Sequence, residues 1–188
     1  GEVAYDMHYG PNLISYPFQT SQNLGDALGD ATDNVFAIAG QAIAALENDG
    51  EFYGSLVAFE GGKGYWLLTE ESFTFTFNGV EAGLSRIAVQ PALREVPDLY
   101  SFSQSSKQAF YFIESATIDN KALDSEDIII AYNKNGVVGS RYWSGEYTDV
   151  PVMGIAPNYN QHTSSYCAEG DKITFKVHDA SSGQLIDM

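Results

Sequence analysis

The run Ser72-Phe73-Thr74-Phe75-Thr76-Phe77 alternates polar and aromatic residues without a slip, and Asn78-Gly79 ends it. Successive side chains of a strand point to opposite faces, so the run puts three phenylalanines on one side and three hydroxyls on the other. The rest of the chain is punctuated in the same way. Asn12 to Phe18 reads as a short strand stopped by Pro17, and Val35–Ala39 and Ala42–Leu46 read as buried strands. Asn48-Asp49-Gly50 turns the chain into Phe52–Phe59, and Gly61-Gly62-Lys63-Gly64 turns it into Tyr65–Leu68. Further on, Ala109–Ile113, Ala116–Ile118, Ile128–Tyr132, Val137–Trp143, Asp149–Gly154 and Lys172–Asp179 repeat the pattern. Helical spacing occurs only in Ser21–Asp30, with Leu24, Ala27 and Leu28 on one face. Short strands with no long helix between them predict an all-β chain, built as two antiparallel β-sandwich-like modules with at most one short helix.

The strand signals lapse once. Residues 84–98 hold two prolines, Pro91 and Pro97, and no clear period, so we place a junction there between an N-terminal β module, 1–83, and a C-terminal one, 99–188. The modules share an echo. Ala44-Ala45-Leu46, the turn Asn48-Asp49-Gly50 and Gly54-Ser55 parallel Ile130-Ala131-Tyr132, the turn Asn133 to Gly136 and Gly139-Ser140. Duplication produces such an echo, and so does common hairpin chemistry.

Charge removes several function classes. Nine Lys and Arg stand against 25 Asp and Glu, a formal net charge of -16. Nucleic-acid binding rests on cations neutralising phosphates, so DNA and RNA are not expected partners, nor are anionic lipid surfaces. The longest apolar stretch, Val35 to Leu46, is far short of the ~20 residues a membrane helix needs, so no membrane insertion is expected. Cys167 is the single cysteine, which rules out an intrachain disulfide and a thiolate metal cluster.

The chain is not expected to be an enzyme. His8, His162 and His178 are scattered, and no H-E-x-x-H, G-x-S-x-G or phosphate-binding glycine loop is present. A set such as His162, Asp149 and Ser164 has nothing to single it out. Two other chemistries have candidates. Asp119, Asn120, Asp124, Glu126 and Asp127 gather hard oxygen ligands in one turn, which suits the flexible oxygen shell of calcium, although turn capping uses the same residues. Tyr142, Trp143, Tyr147, Tyr159 and Tyr166 cluster near the loops of the second module, and Tyr53, Tyr65 and Trp66 do so in the first. Flat aromatic faces stack on sugar rings or anchor protein partners, but aromatics in strands also fill cores.

These segments resemble two modules that recur in large secreted and surface proteins of bacteria, often marine, and in phage structural proteins. The first carries an N-L-I-S-x-P opening and a G-K-G-Y-W strand, here Asn12 to Pro17 and Gly62 to Trp66. The second carries an aromatic opening strand, a G-D-x-I-x-A-F strand, V-G, D-V-P-V-M-G and a closing G-D-x-I-x-F-K-V-Y-D. Here these are Ala109 to Phe112, Glu126 to Tyr132, Val138-Gly139, Asp149 to Gly154 and Gly170 to Asp179. The chain departs from the pattern at Glu126, at Ile129-Ile130 and at His178. The resemblance implies a noncatalytic structural or attachment protein, located extracellularly, at a cell surface or on a virion. Its implied role is in an oligomeric surface assembly (appendage, capsid decoration or filament), with like subunits or other surface proteins as partners. The alternative is a carbohydrate-binding module of an adhesin or a polysaccharide-degrading enzyme, with glycans as partners.

Overall fold

Phe75 and Phe77 are buried and Phe73 packs beside them, so the alternating run lays its aromatic side against a core. It forms strand β9 (Phe73–Thr76) of a computed structural model that describes residues 3–79, 88–156 and 163–188. The chain folds as two compact units, Gly1–Ala92 and Leu93–Met188, and the division between them falls within the 84–98 stretch.

In the first unit the strands preceding β9 are β1 (Ala4–Met7), β2 (Gly10–Ser15), β3 (Gln22–Asn23), β4 (Val35–Ala39), β5 (Ala44–Asn48), β6 (Glu51–Gly54), β7 (Ala58–Phe59) and β8 (Gly64–Thr69). Five of them make one antiparallel sheet in the order β2-β8-β4-β5-β6, and β1 pairs with β9 and β3 with β7 in two small ladders. The sheet and the small ladders enclose a core that includes Ile14, Ile38, Ala45, Tyr65, Leu67, Phe59, Phe75 and Phe77. Aromatic rings dominate its centre. Tyr16, Phe59, Phe75 and Phe77 meet at centroid distances of 5.0 to 5.4 Å, mostly edge to face, as ring quadrupoles prefer. The helical segment is one short helix, α1 (Leu24–Leu28), with Leu24, Ala27 and Leu28 all buried, running into a 3-10 turn, Gly29–Asn34.

Two strand expectations shift, for local reasons. The strand expected over Ala42–Leu46 starts at Ala44, because Ala42 has φ 57°, outside strand geometry. The strand expected over Phe52–Phe59 breaks into β6 and β7. At the break Leu56 turns inward to 1% exposure, its N–H donating to the Ala44 carbonyl at 3.0 Å. The Gln90 side chain satisfies the interrupted backbone: its amide donates to the Ser55 carbonyl at 2.7 Å and its oxygen accepts from the Val57 N–H at 2.9 Å.

The second unit holds β10 (Gln108–Ile113), β11 (Thr117–Ile118), β12 (Lys121–Ala122), β13 (Ile128–Asn133), β14 (Gly136–Tyr142), β15 (Thr148–Met153), β16 (Thr174–Asp179) and β17 (Gln184–Asp187). A four-stranded antiparallel sheet runs β14-β13-β16-β17, beside the pairs β10-β15 and β11-β12. Central β13 is buried on both faces. Ile128 and Ile130 pack with Tyr100 on one side, and Ile129 and Ala131 alternate to the other at 0% exposure. There β14 and β15 lie so close that a Cβ on Gly139 would collide with the Pro151 carbonyl, which is why glycine occupies that place. The fold is all-β, as expected, with antiparallel sheets in both units and one short α-helix.

Candidate functional site

Strand alternation fixes two faces on the five-stranded sheet. The inner one takes Asn12, Ile14, Tyr65, Leu67, Ile38 and Ala45, all buried, and cross-strand register places the remaining residues on the outer face. One outer row runs across four strands as Leu13, Trp66, Ala39 and Ala44. The next crosses all five as Pro11, Leu68, Ala37, Leu46 and Tyr53. A β-bulge between Val35 and Ala37 turns Phe36 outward beside them, at 38% exposure. No charged residue occurs in either row.

The relief of this face follows from residue size. Leu13 and Trp66 rise as a ridge on β2 and β8, 63% and 44% exposed. Ala39 and Ala44 follow in the same row, and Ala37 lies one row away. Ala37 and Ala44 are 8% and 1% exposed, so this part of the outer face is already covered within the chain. An antiparallel sheet with one wet face normally alternates apolar and polar residues. Here the sheet is apolar on both sides, the pattern of a middle layer rather than an outer one. Five strands at ~4.8 Å spacing and about five residues of ~3.3 Å rise give a face of roughly 300 Å² in projection, the size of the apolar patches that ordinary monomers carry.

The acidic turn of the second unit is organised by its own hydrogen bonds. Asp119 and Asn120, at φ 50° and 63°, form the tight turn between β11 and β12. Asp124 accepts from the Glu126 N–H at 2.8 Å, and Asp127 accepts from the N–H groups of Asp124 and Ala180 at 2.9 Å each. Glu126 forms a two-pronged pair with Arg94, whose guanidinium also covers the Tyr142 ring at 3.8 Å. The hydrogen bond from Arg94 holds the Glu126 carboxyl below the usual carboxylate range. Asp119, Asp124 and Asp127 also line a cleft of about 230 Å³, together with Lys121 and Asp179. Among the described residues no three His, Cys, Asp or Glu side chains converge in metal-ligand geometry. The carboxylates of Asp124, Glu126 and Asp127 thus serve caps and one ion pair, while Asp119 and Asn120 shape the turn through their backbone.

The aromatic set of the second unit divides between two ends. Tyr142, Trp143 and Tyr147, all half-buried, sit where β14 passes into β15. Tyr166 lies at the far end of β15, where the Cys167 N–H donates to the Met153 carbonyl at 3.1 Å. It is 6% exposed, and its hydroxyl accepts from the Ser103 N–H at 2.6 Å, a packing role. Tyr159 lies outside the described residues, as does His162. Asp149 is fully buried and paired with Arg141 at 3.0 Å, a structural engagement.

In the first unit Tyr65 is a core residue whose hydroxyl accepts from the Glu60 N–H at 2.9 Å, whereas Trp66 and Tyr53 share the outer face. Local pattern presents these aromatics as isolated groups. The aliphatic neighbours that make them a continuous surface come from register across five strands, which no local pattern displays. Comparison of the chain with family models, with curated proteins and with solved structures returned no match in any of the three, so the functional reading rests on the residues themselves.

Proposed function

We propose that this chain is a noncatalytic structural or attachment subunit of an extracellular or virion surface assembly. The supporting observation is the five-stranded sheet with apolar residues on both faces, its outer rows free of charge in a chain of net charge -16. Burying such a face against a neighbour gains about 25 cal/mol for each Å² of apolar surface removed from water, and it brings no carboxylate into contact with another. The resemblance of the two β frameworks to surface-protein modules points the same way. Light scattering and electron microscopy of the purified chain, up to about millimolar concentration, test the reading. Defined oligomers or filaments are expected, and a protein that stays monomeric throughout overturns it.

Trp66 and Tyr53 on one flat face favour a second reading, a carbohydrate-binding module that stacks sugar rings on this sheet. A monomer retained on a polysaccharide matrix, and released by Trp66→Ala, would carry that reading instead.

A further inference from the structure

We propose that the free edge of β10 pairs with the β10 edge of a second copy, antiparallel, about a twofold axis between the two Tyr111 residues. This goes beyond the subunit reading above and rests on it. The supporting observation is a strand whose outward backbone groups at Phe110 and Phe112, and whose flanking charges, have no partner among the described residues.

Strand β10 has one neighbour in its sheet, β15. The Gly154 N–H donates to the Lys107 carbonyl at 2.8 Å, and these two residues lie in the register of the ladder, which fixes its phase. Bonded and non-bonded pairs alternate along an antiparallel ladder. Ala109 and Tyr111 therefore bond to β15, while Phe110 and Phe112 turn their N–H and C=O groups the other way. Pro151, which has no N–H to give, stands opposite Phe110 and agrees with this phase. No described residue hydrogen-bonds the outward groups of Phe110 or Phe112.

An edge left open in this way is a template for another strand, and proteins ordinarily blunt it with charge, proline or a bulge. In the two larger sheets β2 carries Pro11, β6 carries Glu51 and β17 carries Asp187. Strand β10, Gln108-Ala109-Phe110-Tyr111-Phe112-Ile113, has none of these devices, and its register to β15 runs its whole length without a shift.

Charge selects a second copy and sets its direction. Lys107 precedes the strand and Glu114 follows it, both exposed and neither in an ion pair among the described residues. An antiparallel copy lays Lys107 of each chain beside Glu114 of the other, one place out of direct register, and symmetry repeats the contact at both ends. A parallel copy would set like charges side by side. Pairing Phe110 with the second copy's Phe112, and the reverse, matches outward groups to outward groups. It also puts Tyr111, 40% exposed, opposite its own counterpart as an aromatic cross-strand pair. One short ladder covers far less than the ~800 Å² per partner of a standard stable interface, so the dimer dissociates on dilution.

Sedimentation equilibrium of the full chain between about 10 µM and 1 mM, with amide hydrogen exchange across the same range, tests this. The wild type is expected to follow a monomer–dimer equilibrium, and exchange at Phe110 and Phe112 to slow as the dimer forms. Phe110→Pro removes one outward N–H and leaves the ladder to β15 whole; it is expected to weaken association roughly tenfold. Glu114→Lys lowers the net charge, so it would strengthen any association limited by overall repulsion. In this dimer it sets Lys107 beside a second lysine, and a loss of about fivefold is expected. Lys107→Glu combined with Glu114→Lys opposes the charges again and is expected to recover the wild-type affinity. Circular dichroism and the thermal midpoint report whether each variant remains folded. If the wild type assembles but its Phe110 and Phe112 amides exchange equally at every concentration, or Glu114→Lys assembles as well as the wild type, edge pairing is overturned while the subunit reading stands. If the wild type does not associate at all, both fall.

Discussion

Asp149 and Arg141 form the most deeply buried ion pair among the described residues. The carboxylate is fully enclosed, the guanidinium nearly so, and their oxygen–nitrogen distance is 3.0 Å. Arg141 also donates through Nε to the Asp149 carbonyl at 2.9 Å, so one side chain stitches β14 to β15 where no ladder joins them. Breaking such a pair leaves a buried charge without its partner, whereas replacing both residues by apolar ones removes the desolvation cost along with the attraction. Asp149→Ala is therefore expected to lower unfolding free energy in urea by about 3–5 kcal/mol, with most of the loss recovered in the double variant Arg141→Met, Asp149→Leu. A double variant as unstable as the single one would contradict this. In the sequence Asp149 opens the D-V-P-V-M-G segment and is one acid among many. Its partner, eight positions earlier, becomes visible only when the two strands lie side by side.

At the scale of elements, turns are the most legible part of the chain and register the least. Asn48-Asp49-Gly50 makes the hairpin its residues imply, with Asp49 and Gly50 at φ 52° and 82°. Its echo, Asn133 to Gly136, turns differently: Asn133 accepts from the N–H groups of Asn135 and Gly136, and Gly136 alone is left-handed at φ 140°. Strands β1, β3, β12 and β17 carry no strong alternation and cannot be read locally, because long-range pairing rather than local pattern makes them strands. The acidic turn shows the same limit. Its composition suits calcium, but the donors that take its oxygens, such as the Ala180 N–H on Asp127, lie far along the chain.

The turn between β16 and β17 offers a direct test of such capping. The hydroxyl of Ser182 and the N–H of Ser181 hydrogen-bond the Asp179 carboxylate and hold its pKa at about 2, below the ordinary 3.8. A depressed folded-state pKa stabilises the fold above the unfolded value, and the contribution disappears as pH falls through the folded value. The difference in thermal midpoint between wild type and Asp179→Ala is therefore expected to be constant at neutral pH, to shrink below about pH 4 and to be largely gone by about pH 2. A difference that persists unchanged at pH 2 would place the stabilisation somewhere other than the ionised carboxylate.

For the whole molecule, apolar surface and net charge act in opposite directions, and ionic strength separates them. In the proposed assembly, burial of the uncharged sheet face would draw copies together, while a net charge of -16 on each copy drives them apart at every distance the solvent does not screen. The screening length is about 30 Å at 0.01 M salt, comparable to the dimensions of either unit, and about 8 Å at 0.15 M, which confines repulsion to near neighbours. Association through the apolar face is thus expected to strengthen as sodium chloride rises from 0.01 to 0.5 M. Association through ion pairs such as Arg94–Glu126 would weaken instead, because exposed pairs are the ones salt screens. Light scattering across that range decides between the two. The same titration repeated with calcium chloride at matched ionic strength tests the acidic turn. If the cleft beside Asp119, Asp124, Asp127 and Asp179 holds no ion, calcium exceeds sodium only by the ordinary advantage of a divalent counterion, and Asp124→Asn leaves that margin unchanged. A margin that collapses in Asp124→Asn would place calcium at the turn.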